Sequence, residues 1–332
     1  MSHVETSLQR AAPEPLPPNI ASVQPGGGVC YQIELLWGRW RRWWLRRFRP
    51  AYVRRMAETM RGSAAGAPHD VLDPRDLKYC RNLCTAEWSP LDDPFRWRER
   101  IPFARWGLAE LPLMVCPLLA ATVALGLWRW YLAVLPGIVL ALIVWFFRDP
   151  PRRVPIEAGL IVSPADGTIA EVSRMEHDDY LGGPAVKIGI FLSIFNVHIN
   201  RSPLDCRVMK LRYEPGLFLN AMNPDSRMLN ENLWIGLEED APPYRRLVVR
   251  QIAGLFARRI VCDLRPGETI ARGHKFGMIK LGSRTELIVP DEERLEVLVA
   301  VGHKVRAGSS VLARYSSTEG GLPRLSPTDE TG

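Results

Sequence analysis

Residues 160–191 read LIVSPADGTIAEVSRMEHDDYLGGPAVKIGIF. Two short apolar runs, Leu160-Ile161-Val162 and Val186 to Phe191, are set apart by Pro164, Gly167 and Gly182-Gly183. Brief runs rich in β-branched residues and bounded by turn formers read as strands. The same texture continues outward. Leu247-Val248-Val249, Ile260-Val261, Leu287-Ile288-Val289 and Leu295 to Val301 are punctuated by Pro215-Gly216, Pro266-Gly267, Gly273 and Gly308. No long helical period appears between 151 and 315. Residues 148–315 are expected to form a mostly β (α+β) domain, with a short helix or a loop over 215–232.

One pattern occurs twice. Arg265-Pro-Gly-Glu-Thr-Ile-Ala-Arg-Gly-His274 and Val301-Gly-His-Lys-Val-Arg-Ala-Gly-Ser-Ser-Val-Leu-Ala313 share a turn glycine, a short strand, a second glycine and another strand. The shape resembles the hairpins of biotinyl- and lipoyl-type barrel-sandwich domains. Neither copy has a carrier lysine in the turn, so the likeness is architectural.

Upstream, Leu108 to Leu127 is apolar apart from Glu110, and Tyr131 to Phe147 carries no charge. Each run reaches the roughly 17–25 residues a membrane-spanning helix needs. Only Trp128-Arg129-Trp130 separates them, so residues 107–147 are expected to form a transmembrane or re-entrant helical hairpin. Aromatic residues cluster at its tip (Trp128, Trp130, Tyr131) and base (Trp106, Trp145, Phe146, Phe147), as in an interfacial belt. Arg96, Arg98, Arg100 and Arg105 precede it, and Arg148, Arg152 and Arg153 follow. The positive-inside rule puts both ends, and with them the β-rich domain, on the cytoplasmic side of the cell membrane.

Residues 35–61, LLWGRWRRWWLRRFRPAYVRRMAETMR, interleave Trp and Arg. This suits an anionic membrane interface, with indoles at headgroup depth and guanidinium groups on phosphates. Nucleic-acid binding and a plain basic helix are the rivals. Residues 1–34, rich in Pro and Gly, are expected to be disordered, as is the tail 316–332. Residues 35–106 form a basic, partly irregular juxtamembrane region.

The 332 residues are 47% hydrophobic and 24% charged, which excludes a wholly disordered or fibrous chain. A net charge of +7 suits an anionic surface or ligand. Six scattered cysteines are no disulfide framework. Cys80 and Cys84, with His69 upstream, lack two further ligands for zinc, and no metal is expected. Residues 1–19 have no apolar core of a cleaved signal peptide.

Three motifs carry the chemistry: Ser163-Pro-Ala-Asp166-Gly-Thr, Phe195-Asn-Val-His198-Ile-Asn-Arg201-Ser-Pro203 and Phe276-Gly-Met-Ile-Lys-Leu-Gly282-Ser283-Arg284. Each alone is weak, since Asp-Gly is usually a turn, a lone His is often structural and Gly-Ser is a common loop pair. Their order behind an apolar hairpin resembles the phosphatidylserine decarboxylase family, in the shorter form with a Gly-Ser-Arg processing site. Phe147-Arg-Asp-Pro150, FLSIFNVHINRSP and Tyr213-Glu-Pro-Gly216 extend the resemblance over about 145–315. The first hundred residues fall outside it.

The resemblance implies an inactive proenzyme. Ser283 Oγ attacks the Gly282 carbonyl, the peptide becomes an ester, and β-elimination releases a chain ending at Gly282. Loss of ammonia leaves a pyruvoyl cofactor at position 283. Asp166, His198 and Ser283 would form the processing triad, with His198 as a base of near-neutral pKa and Asp166 fixing its tautomer. The pyruvoyl ketone then forms a Schiff base with phosphatidylserine and acts as electron sink as CO2 leaves, giving phosphatidylethanolamine. His198 is also the candidate acid that reprotonates carbon. Where some relatives carry a second His, this chain has Arg201. Asn200, Arg201, Lys280 and Arg284 are candidate substrate contacts.

The implied partners are phosphatidylserine or another anionic membrane lipid and the chain's own cleaved C-terminal piece. A homodimer is left open, and no nucleic acid is expected. Two rival readings are a membrane-tethered binding module, which needs no cleavage, and a pyruvoyl-dependent decarboxylase of a soluble amino acid, which needs no hairpin.

Overall fold

The structure is a computed structural model that describes residues 11–18, 20, 28–59, 69–73, 75–80, 93, 95–219, 229–255, 259–280 and 282–316. Four α-helices come first: α1 (Gly28–Phe48), α2 (Pro50–Thr59), α3 (Glu110–Trp128) and α4 (Val134–Phe146). The α1–α2 break falls at Arg49-Pro50, where a proline lacking its N–H suits the first position of a helix.

The strands are β1 (Leu160–Val162), β2 (Gly167–Asp178), β3 (Gly183–Leu192), β4 (Ile199–Arg201), β5 (Cys206–Glu214), β6 (Asn232–Glu239) and β7 (Arg246–Ala253). They continue with β8 (Ile260–Cys262), β9 (Thr269–Ile270), β10 (Lys275–Ile279), β11 (Ser283–Pro290), β12 (Leu295–Val297), β13 (Lys304–Val305) and β14 (Val311–Tyr315). The β-rich expectation for this half of the chain holds. Part of the 215–232 stretch lies outside the described residues.

An eight-stranded sheet runs β13-β2-β3-β11-β7-β6-β5-β9 and curls into a half-barrel. Two three-stranded sheets, β1-β14-β12 and β4-β10-β8, accompany it. All the pairings are antiparallel. Isoleucine, valine and leucine from both halves of the large sheet fill the main core, among them Ile169, Ile188, Ile190, Val208, Leu211, Ile235, Leu237, Val249 and Leu287. Each such side chain contributes about 1.5–3 kcal/mol relative to exposure.

The sheet order is a palindrome. β1–β3 with β11–β14 match β4–β10 strand for strand, so seven strands stand on each side of an internal two-fold. The local chemistry repeats as well. Ser163-Pro-Ala-Asp166 leads into β2, and Ser202-Pro-Leu-Asp205 leads into β5. The two serine hydroxyls donate to the Ala165 and Leu204 carbonyls at 2.6 and 2.7 Å. The aspartates accept the N–H groups of Ala307 and Arg272 at 2.8 and 3.0 Å. Gly308 and Gly273 then donate to the Ser163 and Ser202 carbonyls at 2.8 and 2.9 Å. These glycines are the second glycines of the repeat read in the sequence. A Cβ on Gly308 would stand 3.4 Å from the Gly273 Cα and 2.9 Å from Arg201 Cδ, so the two copies meet beside Arg201.

The apolar segment folds as two helices joined by a tight turn, with a 3-10 turn over Trp130–Ala133. α3, 19 residues and about 28 Å long, is long and apolar enough to cross a membrane, and none of its apolar window is buried in the protein. The second arm, Trp130–Phe146, is shorter. Their base is docked on the β domain. Ala104 N–H donates to the Phe147 carbonyl at 2.7 Å, and Asp149 N–H to Pro102 at 2.8 Å. Trp106, Phe146 and Phe147 pack with Val197, Ile199, Val261 and Met278.

The N-terminal region differs from its expectation. Helix α1 starts at Gly28, inside the stretch 1–34 read as disordered. Residues 11–18 and 20 lie on the β domain: Glu14 N–H donates to Met209, and Ile20 is wholly buried in the main core. Prolines set an extended path there, and the interspersed Leu16 and Ile20 give it something to bury. The Trp/Arg helix is also divided. Arg41 and Arg42 are buried on Asp73 and Asp76, whereas Arg39, Trp40, Trp43, Arg46, Arg47 and Phe48 are exposed. Cys84 and residues 317–332 lie outside the described residues.

Candidate active site

Ser283 opens β11, the strand clasped between β3 and β7, where it faces Leu192 on one side and Ala253 on the other. It is fully buried, and its Oγ has no hydrogen-bond partner. A buried hydroxyl left unpaired costs about 1–3 kcal/mol, so an orphan of this kind calls for an explanation. The preceding Gly282 has φ +61°, in the left-handed region that glycine enters without steric cost. The chain here passes from the small sheet (β10) to the large one (β11) in three residues.

His198 comes from the loop between β3 and β4. That loop is closed by Asn196, whose Oδ1 accepts from the Ser193 N–H and hydroxyl at 2.9 and 2.8 Å. The Asn196 carbonyl lies 2.9 Å from His198 Nδ1. A carbonyl only accepts, so Nδ1 carries the proton and Nε2 is left with its lone pair. Nε2 accepts the Gly282 N–H at 3.2 Å. The imidazole is fully buried, with the Phe146 ring 4.6 Å away. Burial pushes its pKa down to about 4, against the opposing pull of the Asn196 carbonyl and with a further push from Arg148. The sequence expectation of a near-neutral value is corrected: His198 is an unprotonated base throughout the neutral range.

Asp166 does not hydrogen-bond His198. Its Oδ2 accepts from Arg152 at 2.6 Å and its Oδ1 from the Ala307 N–H. The expected orienting contact is thus replaced by the Asn196 carbonyl. A backbone hydrogen bond explains where Asp166 sits, because its carboxylate latches the turn through the Ala307 N–H just as Asp205 does through Arg272 in the duplicate half. What Asp205 lacks is a close buried ion pair: Arg272 is 3.8 Å from it, and Asp205 is largely exposed.

The four candidate substrate contacts are occupied. Asn200 donates to the Pro164 carbonyl and Thr285 Oγ1 at 3.2 and 3.1 Å and accepts from Gln251 at 2.8 Å. Arg201 bonds Asp149 and the Gly273 carbonyl, both at 3.1 Å. Lys280 is buried between Glu34 and Glu110. Arg284 lies on Glu171 and Glu286. Its register neighbours put it on the sheet face opposite Ser283. Lys280 and Arg284 are therefore internal counter-charges here.

Sequence reasoning missed Asn196, Phe146, Arg152 and Gln251. Gln251 follows Arg250 in β7, beyond the apolar run 247–249, and its Oε1 is buried without a partner among the described residues. The others act through a backbone carbonyl, a ring face and an ion pair that only the fold creates.

Comparison with known proteins matches the sequence to a family. The family model for phosphatidylserine decarboxylase matches residues 139–313, from α4 to β14. The chain belongs to the phosphatidylserine decarboxylase family. It is 52% identical over 239 residues to a phosphatidylserine decarboxylase proenzyme of Rhodopirellula baltica, covering 72% of this chain and 99% of that one. A proenzyme of the same name from Symbiobacterium thermophilum is 44% identical over 229 residues, 68% of this chain and 98% of the relative. One from Nitrosomonas eutropha is 44% identical over 190 residues, 57% and 84%. The family match contains Asp166, His198, Gly282 and Ser283, and leaves α1, α2 and α3 outside.

Proposed function

We propose that this chain is a self-processing, membrane-bound phosphatidylserine decarboxylase, cleaved between Gly282 and Ser283. The observation that carries the reading is the buried, unpartnered Ser283 Oγ beside a left-handed Gly282 whose N–H rests on the lone pair of His198.

In cleavage, Ser283 Oγ forms a bond to the Gly282 carbonyl carbon and the Gly282–Ser283 C–N bond breaks, converting amide to ester. His198 Nε2 takes the hydroxyl proton and returns it to the departing nitrogen. The imidazolium formed is stabilised where Nδ1–H meets the Asn196 carbonyl. Loss of the Ser283 Cα proton then expels the Gly282 carboxylate, and water replaces the nitrogen, which leaves as ammonia. The residues fit the pyruvoyl group that results, since position 283 is buried, glycine-preceded and next to a neutral base. When formed, that group supplies an electron sink for loss of CO2 from the serine headgroup. Within the processing set Asp166 is a positioning residue, acting through Arg152 and the 307 backbone.

The membrane reading rests on the two apolar helices. Leu113, Leu119, Val123 and Leu127 on α3 and Leu135, Ile138 and Leu142 on α4 are exposed, with Trp128, Trp130 and Tyr131 at the tip. Both ends of the pair lie against the β domain, so that domain sits on one side of the bilayer, the cytoplasmic side by the arginine bias. The exposed Trp40, Trp43, Arg39 and Arg47 add an anionic-leaflet contact.

The test is intact mass of the purified protein beside Ser283→Ala, followed by CO2 release from phosphatidylserine vesicles. Two wild-type pieces, 1–282 and 283–332, with the second lighter than a serine-started peptide by the exchange of ammonia for a ketone, are expected. Ser283→Ala stays whole and releases no CO2. A folded, membrane-bound wild type that remains one chain overturns the reading in favour of a tethered module.

A further inference from the structure

Lys280 lies two residues before Gly282 and is almost wholly inside the protein. Its ammonium meets the Glu34 carboxylate at 2.7 Å and the Glu110 carboxylate in a still shorter contact. Neither acid comes from the β domain: Glu34 is on α1, and Glu110 is the first residue of α3. Arg259 joins the same group, with Nη2 2.9 Å from Glu34 and its carbonyl accepting the Lys280 N–H at 3.0 Å. Two buried cations thus face two buried anions. Burial alone would lower the Lys280 pKa, and the two carboxylates more than offset this, leaving it raised.

The position of this quartet gives it a consequence. β10 ends at Ile279 and β11 begins at Ser283, so the crossover that carries the Gly282–Ser283 peptide is three residues long. One end is fixed by Lys280 and the other by the Gly282 N–H on His198. A buried ammonium without its counter-charge is strongly unfavourable, and the inexpensive escape is for the long side chain to swing out to water. On a three-residue crossover, that escape moves Gly282. The family match spans Arg259 and Lys280 but neither Glu34 nor Glu110.

We propose that Glu34 is a positioning residue for self-cleavage: docked α1, together with Glu110, fixes Lys280 and thereby the crossover, so the Gly282–Ser283 bond breaks only after the N-terminal helix is in place. This rests on the cleavage reading above. It assigns α1, which lies outside the family model, a part in maturation.

The experiment follows the first-order rate at which full-length chains, made with phospholipid vesicles, split into 1–282 and 283–332. Glu34→Gln is expected to slow splitting at least tenfold, and Glu34→Asp, which keeps the charge, to recover much of the loss. Because Glu34 acts through Lys280, Glu34→Gln/Lys280→Gln is expected to be no slower than the slower single variant. Melting of each variant in the uncleavable Ser283→Ala background reports folding separately. If Glu34→Gln does not fold, Lys280→Gln decides: slower splitting at an unchanged melting temperature supports the role, and wild-type splitting overturns it. Wild-type rates in folded Glu34→Gln, or rate losses that multiply in the double variant, also overturn it. A wild-type chain that never splits removes the cleavage reading itself.

Discussion

The Gly282 N–H donates to His198 Nε2 at 3.2 Å, so the base proposed to activate Ser283 also holds the residue whose carbonyl that serine would attack. His198 is neutral in this arrangement, with a pKa of about 4. The splitting rate is expected to stay flat from pH 8 to about pH 5 and to fall with a midpoint near 4. Rates of newly made precursor across buffers check this; a midpoint near 6.5 means that His198 is solvated during the reaction.

The same depressed pKa sets a stability trend. Between about pH 4 and 6.5 the unfolded chain binds a proton at His198 that the folded chain does not. Stability therefore rises with pH through that window, by roughly 3 kcal/mol in all. In the Ser283→Ala background, His198→Asn is expected to flatten that part of the melting-temperature profile.

Phe146, at the foot of the apolar hairpin, covers the imidazole with its ring centroid 4.6 Å away. Phe146→Ala opens the site to water, and the cleavage midpoint is expected to move up toward 6.5. The lost packing costs about 3–5 kcal/mol. Paired pH profiles and melts separate the two effects, and an unmoved midpoint shows that the ring does not keep the base dry.

A Cβ at Gly282 would meet nothing within 4 Å, so its left-handed φ can be tested without a clash. Gly282→Ala is expected to fold, at a cost of about 1–2 kcal/mol, and to split on the order of tenfold more slowly. Splitting at the wild-type rate means that the bend is dispensable.

The internal duplication supplies a control for Asp166. Both Asp166 and Asp205 latch a backbone N–H, but only Asp166 holds a buried arginine at 2.6 Å. Breaking a buried pair costs about 3 kcal/mol or more. Asp166→Asn is expected to slow splitting at least tenfold and Asp205→Asn less than twofold. Equal effects reduce Asp166 to a turn residue.

Much of this was legible in the sequence. The short Val/Ile/Leu runs mark strands because a curled sheet is built from such lengths, and the 265–274 and 301–313 repeat exposed part of the two-fold. Its other half, Ser163-Pro-Ala-Asp166 against Ser202-Pro-Leu-Asp205, passed unnoticed because two serines, two prolines and two aspartates have many uses until their hydrogen bonds are seen to coincide. Ser283 and His198 were singled out by the resemblance of the ordered motifs that hold them, since a lone His and a Gly-Ser pair say little by themselves. The Asn196 carbonyl that sets the tautomer was invisible, since every residue has one. Glu34 and Lys280 meet across 246 positions, a pairing that no local pattern encodes.

Ser283 begins a strand that is hydrogen-bonded along both sides, to β3 and to β7, and both partners stay with the upstream piece. Cutting the backbone there severs connectivity without separating anything: β11 remains threaded through the sheet, and β14 stays paired with β1. Cut as proposed, the two pieces are expected to remain an interlocked pair on dilution. The converse is less forgiving. Once unfolded, the mature enzyme must rebuild the middle of a sheet from two diffusing chains, one of them without most of a core. On the proposed cleavage, the intact precursor is the form that folds as one chain, and the cut enzyme is expected not to refold after denaturation.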